Sequence, residues 1–192
     1  MARAAEDAPV VTVRNRAELR DWLAANHAWA GSVWLARFKK PHPDYLAYEP
    51  VVEELLCWGW VDSVTRALDG ERSLILISPR KAGSAWSAVN KSHVARAVAS
   101  GAMTAAGMAK VEAAKASGMW EFLDDVERLE VPGDLAAALG DGRTVFDAYP
   151  RSVKRGVLER VKNARTDQTR AARIAELARD AAAGERPRLF RR

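Results

Sequence analysis

The amino-acid sequence predicts an α+β fold, in which a small, mostly antiparallel sheet is covered by helices and followed by a C-terminal helical region. Short runs rich in β-branched residues are concentrated before residue 80, and an Asp-Gly pair at 69–70 joins two of them as a hairpin signal. After residue 84 the apolar residues recur mainly at helical spacing. Predicted strands in the first part of the chain and predicted helices in the rest indicate an α+β domain over residues 10–120 and a helical module over residues 121–190.

The first two predicted strands flank a capped helix. Val10–Val13 is short and β-branched, which predicts an edge strand. Asn15 can accept a backbone hydrogen bond as the N-cap of a helix that has its apolar residues on one face. Residues 31–40 then predict a second strand with both faces partly covered.

Prolines and glycines mark the connections that follow. Residues 41–50 hold three prolines and predict a surface loop, with Pro50 in the first turn of the next helix. Gly59 ends that helix, because glycine adopts the left-handed cap conformation at little cost. Residues 61–68 and 72–79 then form the predicted hairpin.

The helices of the second half carry start and stop signals. Serine and threonine can accept a backbone hydrogen bond at the N-terminus of a helix, and glycine can end one. Two short helical segments precede a final helical pair. The predicted caps and stops are Ser84 or Ser87 with Gly101, Thr104 with Gly118, Ser152, and Thr166 with Gly184.

Composition excludes several classes of protein. A single cysteine, Cys57, can form neither an internal disulfide nor a multi-cysteine metal site. The three histidines lie far apart without ligand spacing, so neither a metal nor a cofactor is predicted. No stretch is apolar over the roughly 20 residues of a membrane span, and the N-terminus lacks a signal-peptide core. We therefore expect a cytoplasmic protein that does not insert into membranes.

The segment LLCWGWVDS, residues 55–63, combines unusual residues at a helix-to-strand junction. Trp58 and Trp60 fall on different predicted elements, and large aromatic residues at such places are most often core anchors. For Trp60 a ligand-binding role stays open as well. Cys57 is interpreted as a buried small hydrophobic residue, because no histidine lies near it in sequence to activate the thiol.

A polar cluster at one end of the predicted sheet is the candidate ligand site. Asp62 lies on a strand that should be well covered, where an unpaired carboxylate is costly. Arg80 follows the hairpin and precedes a segment with Trp86 and Asn90. Together with Trp60, these residues can form a polar pocket with aromatic walls, in which Arg80 holds an anionic group. The alternative is a structural ion pair between Asp62 and an arginine of the hairpin, plus helix caps.

The net charge of +5 is unevenly distributed along the chain. Residues 151–192 contain thirteen Lys/Arg and five Asp/Glu, a balance of +8, against −3 for residues 1–150. Such an asymmetry can indicate nucleic-acid binding, although most charge runs are solvated faces. The residues predicted to carry this alternative function are Arg151, Lys154, Arg155, Lys162, Arg165, Arg170 and Arg173.

No catalytic residue is predicted. The sequence lacks a nucleophile elbow, a phosphate-cradling glycine loop and metal-ligand spacing. Glu53–Glu54 and Asp124–Asp125 are adjacent carboxylates, which point apart on a helix and are typical of surface charge. The sequence therefore favours a binding protein over an enzyme, although catalytic residues can also converge from distant positions.

Four stretches carry a family resemblance. They are ELLCWGWVDS (54–63), SPRKAGSAWSAVNKSHVARAVASGAMTAAG (78–107), VPGDLAAAL (131–139) and, above all, FDAYPRSVKRGVLERVKNARTDQTRAARIAELARDAAAGERP (146–187). They resemble the YdeI/OmpD-associated family of bacterial proteins, also described as bacteriocin-protection proteins, and the resemblance extends from about Val13 to Pro187. It implies an α+β domain with a helical tail, no established enzymatic activity, and binding of a small ligand or protein partner in a stress or bacteriocin-protection role.

Overall fold

The computed structural model describes residues 7–191 and divides into two compact units, with the boundary after Phe122. In the described residues, the N-terminal unit contains a four-stranded sheet with helices, and the C-terminal unit is helical. This confirms the predicted α+β class and the predicted C-terminal helical region. No helix in the described part of the chain is long and apolar enough to cross a bilayer.

The sheet has the strand order β1-β2-β4-β3. Strand β1 pairs with β2 in parallel, and the other two pairs are antiparallel, so the sheet is mostly antiparallel as predicted. Strand β1 lies at an edge, which confirms the expected edge strand. The strands are β1 (Val10–Thr12), β2 (Val33–Phe38), β3 (Trp60–Ala67) and β4 (Arg72–Pro79).

The two central strands, β2 and β4, contain most of the buried residues of the sheet, whereas the edge strand β3 is largely exposed. In β2, Leu35 and its neighbour Ala36 point to opposite faces and both are fully buried, which confirms that both faces of this strand are covered. In β3, only Trp60 is fully buried, and residues 63–67 are exposed. The expectation that the strand of Asp62 is well covered was therefore wrong, because β3 has a neighbour on one side only.

Four helices complete the N-terminal unit, and three of them begin at the predicted caps. The side chain of Asn15 accepts from the backbone N–H of Glu18 at 2.9 Å, and those of Ser87 and Thr104 accept in the same way. Ser87, and not Ser84, is thus the cap of the third helix. The helices are α1 (Arg16–Asn26), α2 (Tyr48–Cys57), α3 (Ala88–Ala99) and α4 (Ala105–Ser117).

Helix α2 stands at the centre of the N-terminal unit because it packs on both sides. Leu55 faces α1 and the sheet, in a cluster that includes Leu23 and Ile75. Leu56 faces α3 and α4, in a second cluster that includes Trp86. The helix ends as predicted, since Trp58 is its C-cap residue and Gly59 follows with φ +73°.

A buried carboxylate joins α1 to α2. Glu54 is 1% exposed and accepts from Nε of Arg16 at 2.8 Å and from Nη1 of Arg20 at 2.7 Å. Arg20 also donates to the carbonyl oxygen of Ala102 at 2.9 Å. The interpretation of Glu53–Glu54 as surface charge was therefore wrong for Glu54, whose charge is buried and fully paired.

The C-terminal unit is built around a helical pair. The first helix of the pair follows Pro150 and begins one residue before Ser152, which therefore is not its cap. The second begins at Thr166, whose hydroxyl accepts from the backbone N–H of Thr169 at 3.1 Å, as predicted. The helices are α5 (Asp124–Glu127), α6 (Gly133–Leu139), α7 (Arg143–Ala148), α8 (Arg151–Lys162) and α9 (Asp167–Ala182), with short 3₁₀ helices at Gly140–Gly142 and Arg188–Phe190.

Removing both cations of the Glu54 network tests how much it stabilises the N-terminal unit. We expect the double variant Arg16→Met/Arg20→Met to lose roughly 3–5 kcal/mol of unfolding free energy, because it leaves a buried carboxylate unpaired. Urea unfolding followed by tryptophan fluorescence measures this, since all seven tryptophans precede residue 123.

Two further variants act as controls for this experiment. Adding Glu54→Leu to the double variant should recover much of the loss, because the uncompensated charge disappears. Lys115→Met breaks an exposed ion pair with Glu112 and should cost less than about 1 kcal/mol. A loss of similar size in all three variants would show that the buried charge is not the cause.

Candidate functional site

Arg80 lies at the end of β4 with its side chain buried. The residue is 3% exposed, and its backbone N–H donates to the carbonyl oxygen of Gly59 at 2.9 Å. Its guanidinium carbon lies 3.8 Å from the ring centroid of Trp86. On the other side, Trp86 contacts Trp120, with 5.1 Å between the ring centroids. The guanidinium group is therefore held against a fixed aromatic surface.

The hydrogen-bonding groups of Arg80 are only partly used. Nη2 donates to the carbonyl oxygen of Ala85. Nε and Nη1 are buried and have no acceptor within residues 7–191. Burial lowers the pKa of Arg80 to about 10, against an opposing attraction from Asp62, so the group remains a cation at neutral pH. Buried donors of a cation without a protein acceptor are uncommon, and perturbed buried charges occur at functional sites as well as in structural ion-pair networks.

A cavity of about 60 Å³ lies beside the Arg80 side chain. Lys81 and Lys110 are exposed and have no ion-pair partner among the described residues. The lining carries three cationic side chains and no carboxylate, a composition that favours anions over cations. It is lined by Arg80, Lys81, Ala82, Trp86, Lys110, Ala113 and Ala114.

Lys110 reaches this cavity because α4 packs closely against the end of α2. The backbone N–H and the hydroxyl of Thr104 both donate to the carbonyl oxygen of Cys57, at 3.2 and 2.6 Å. A Cβ atom at Gly107 would overlap that same oxygen, and a Cβ at Gly59 would lie 2.7 Å from Cγ of Lys110. Glycine at these two positions therefore allows the approach that places Lys110 near Arg80.

Of the predicted site residues, the structure brings Arg80 and Trp86 together. Trp60 is fully buried between the sheet and the helices, where its indole N–H donates to the carbonyl oxygen of His27 at 3.1 Å. Asn90 lies in the first turn of α3, with its backbone N–H bound to Ser87. Neither Trp60 nor Asn90 lines the cavity at Arg80.

Asp62 is held by a tyrosine and not by one of the hairpin arginines. Its carboxylate accepts from the hydroxyl of Tyr48, and burial together with this hydrogen bond raises the pKa of Tyr48 to about 12. Arg72 binds Asp69 at 2.7 Å, and the guanidinium carbon of Arg66 lies 4.0 Å from the ring centroid of Trp34. Asp62 acts on Arg80 through its charge without lining the cavity.

Cys57 has the environment of an inert core residue. It is fully buried, and burial raises the pKa of its thiol to about 11. This agrees with its interpretation as a small hydrophobic residue. Among the described residues, no group of three or more His, Cys, Asp or Glu side chains is arranged to hold a metal ion.

The basic residues of the C-terminal helices mostly bind partners inside their own unit. Arg155 binds Glu127 at 2.8 Å and Glu159 at 2.7 Å. Arg165 is exposed and has no side-chain partner between residues 7 and 191. These contacts favour a structural role, and nucleic-acid binding stays a prediction. The remaining contacts are Lys162 with Asp125, Arg170 with Asp134, Arg151 with the carbonyl of Glu127, Lys154 with that of Asp147, and Arg173 with that of Arg160.

Two family models match the chain, one in each unit. Residues 11–110, just over half of the chain, match a family described as a domain of unknown function, DUF8412, and the chain belongs to that family. Residues 128–184 match the family described as bacteriocin-protection, YdeI or OmpD-associated. The second match confirms the resemblance noted in the sequence and limits it to the C-terminal unit. Neither the curated proteins nor the solved structures include a match.

The ion pairs of α8 predict a contrast between two arginines. Arg155→Met should lower the unfolding free energy of the C-terminal unit by about 1–3 kcal/mol, because Glu127 and Glu159 lose a charged donor. Arg165→Met should change it by less than about 0.5 kcal/mol. Hydrogen exchange over residues 143–182 measures both effects, since this unit has no tryptophan. Equal losses would contradict a structural role specific to Arg155.

Replacing Arg80 distinguishes a structural cation from one kept for binding. Arg80→Met retains apolar contact with Trp86 and removes a buried charge that lacks two acceptors. We expect the unfolding free energy to be unchanged or raised by about 1 kcal/mol. Urea unfolding followed by tryptophan fluorescence checks this. A loss above about 2 kcal/mol would assign Arg80 to the structure of the unit.

Proposed function

We propose that this chain, whose C-terminal unit is of the YdeI/OmpD-associated type, is a non-enzymatic protein that binds a small anionic ligand at Arg80. The observation that carries the proposal is a buried cation with two unpaired donor nitrogens beside a cavity. Keeping such a group costs stability, and perturbed buried charges in proteins cluster at functional sites.

The guanidinium group of Arg80 keeps a two-pronged donor edge. Nη2 carries two N–H groups, and one of them donates to the carbonyl oxygen of Ala85. The second N–H group of Nη2 lies parallel to an N–H group of a neighbouring nitrogen, which is either Nε or Nη1. Neither Nε nor Nη1 has a partner among the described residues, so one parallel pair stays free in either case. Such a pair matches two oxygens of a carboxylate or phosphate group. Trp86 covers one face of the group, so a ligand that uses this pair lies in the guanidinium plane, at an edge whose nitrogens are themselves buried.

The lining of the cavity supports binding without turnover. It provides cationic donors and apolar walls, and it contains no carboxylate, hydroxyl, thiol or imidazole side chain. A cationic site can neutralise and orient an anion, whereas acyl or phosphoryl transfer also needs a nucleophile or a positioned base, for which this lining offers only its two exposed lysines.

The proposed biological role is supported by the family that residues 128–184 match, which is described as bacteriocin-protection. We place the ligand-binding function in a stress or bacteriocin-protection role in the cytoplasm. Six of the seven basic residues predicted for nucleic-acid binding have partners inside the C-terminal unit, so no specific observation favours that alternative.

Anion binding at Arg80 can be tested with simple probes. Inorganic phosphate, sulfate and acetate are titrated into the full chain at constant ionic strength, and the melting temperature and tryptophan fluorescence are recorded. We expect at least one of these anions to raise the melting temperature of the wild-type chain. Arg80→Met should weaken that binding by about 30-fold or more, since losing a buried charge partner costs about 2 kcal/mol or more.

Arg66→Met is the matched control, because Arg66 also stacks on a tryptophan but lies on the exposed strand β3. It should leave anion binding unchanged. Absence of binding to the wild-type chain, or equal weakening by the two substitutions, would overturn the proposed function.

A further inference from the structure

We infer that the Arg80 cavity selects the phosphate group of a phosphorylated small molecule over a singly charged carboxylate. This inference rests on the proposed anion-binding function and specifies the class of ligand. It is drawn from the charge of the lining, from the size of the cavity and from the number of oxygens that its donors can satisfy.

The charge of the lining favours a doubly charged group. Arg80, Lys81 and Lys110 line the cavity together, and none of them has an ion-pair partner among the described residues. Asp62, whose charge acts on Arg80, is bound to Tyr48 and does not line the cavity. Each cation attracts a dianion about twice as strongly as a monoanion at the same distance. The two lysines, together with the arginine, therefore increase the difference in affinity between a dianion and a monoanion.

The volume of the cavity restricts what can enter it. About 60 Å³ is far less than the roughly 300–1,000 Å³ of a pocket that encloses a whole drug-sized ligand. Only the charged group of a ligand fits, and the rest of the molecule remains outside. Recognition therefore depends on the charged group more than on the body of the ligand.

The arrangement of donors matches a phosphate better than a carboxylate. Arg80 is 3% exposed and keeps a two-pronged donor edge, while Lys81 and Lys110, which line the same cavity, are exposed. A carboxylate has two oxygens, which the edge of Arg80 already engages. A phosphomonoester has three terminal oxygens, so that one remains for the lysines. A phosphodiester, as in a nucleic-acid backbone, carries one charge and lacks this third oxygen.

Isothermal titration calorimetry with matched aromatic probes tests the inference. We expect the wild-type chain to bind phenyl phosphate at least about tenfold more tightly than benzoate or the diester methyl phenyl phosphate. The affinity for phenyl phosphate should fall about tenfold from pH 7.5 to pH 5, because the second pKa of a phosphomonoester is near 6. Benzoate and the diester keep one charge over this range and should change little.

The double variant Lys81→Met/Lys110→Met assigns the selectivity to the lysines. It should lose about tenfold or more in affinity for phenyl phosphate and much less for benzoate. Lys115→Met is the control, since Lys115 lies near Trp120 but outside the lining. It should leave the affinities for both probes unchanged.

The outcomes separate this inference from the proposed function. Equal affinity for phenyl phosphate and benzoate, with both lost in Arg80→Met, would overturn phosphate selectivity and leave anion binding at Arg80 intact. Unchanged selectivity in the double lysine variant would also overturn the inference, because the lysines would then play no part. If the wild-type chain binds none of the probes, both the inference and the proposed function are wrong.

Discussion

Helix α2 ends against the first turn of α4, and the N-terminal unit depends on how closely these two backbones approach. The carbonyl oxygen of Cys57 accepts two hydrogen bonds from Thr104, so a carbonyl group that has no partner within its own helix is satisfied by the start of another helix. The carbonyl oxygen of Gly59, two residues later, accepts from the backbone N–H of Arg80. One short segment therefore fixes the ends of α2 and β4 and the start of α4. The cavity forms where these elements meet, since they also bring Lys110 and Arg80 together.

Two buried charged residues of the N-terminal unit, Glu54 and Arg80, differ in how completely their polar atoms are hydrogen-bonded. Glu54 is paired with Arg16 and Arg20, and each of its oxygens has a charged donor. Arg80 is almost as deeply buried, yet its carboxylate neighbour Asp62 binds Tyr48, and two of its nitrogens have no acceptor in the described chain. At Glu54, where the buried charge holds two helices together, the fold therefore provides a charged partner for each carboxylate oxygen. This difference supports the proposal that Arg80 is kept for a ligand and does not belong to a structural ion pair.

Local signals in the sequence were sufficient for most of the fold. Cap residues, helix-ending glycines and the Asp-Gly turn act over a few residues, and Asn15, Thr104 and Gly59 are found in these roles. Arg80 and Trp86 were predicted as neighbours because they are close in sequence. Lys110 was missed because it reaches the cavity through packing of α4 on α2, and the sequence marks this packing only indirectly, by a glycine at position 107 in the first turn of α4. Glu54 was misjudged for the same reason, since its partners lie more than thirty residues away.

The two family matches, 11–110 and 128–184, lie on either side of the boundary after Phe122. Each matched segment thus falls within one unit and has its own buried residues. A recombination breakpoint between the two segments would cut neither hydrophobic core. Gene fusion or gene truncation at that point can therefore transfer or delete one unit without disrupting the other. Substitutions around the cavity and substitutions in the helical pair can then accumulate at different rates. The ancestry of the Arg80 cavity should therefore be traced through the first module alone, and that of the ion-paired helices through the second.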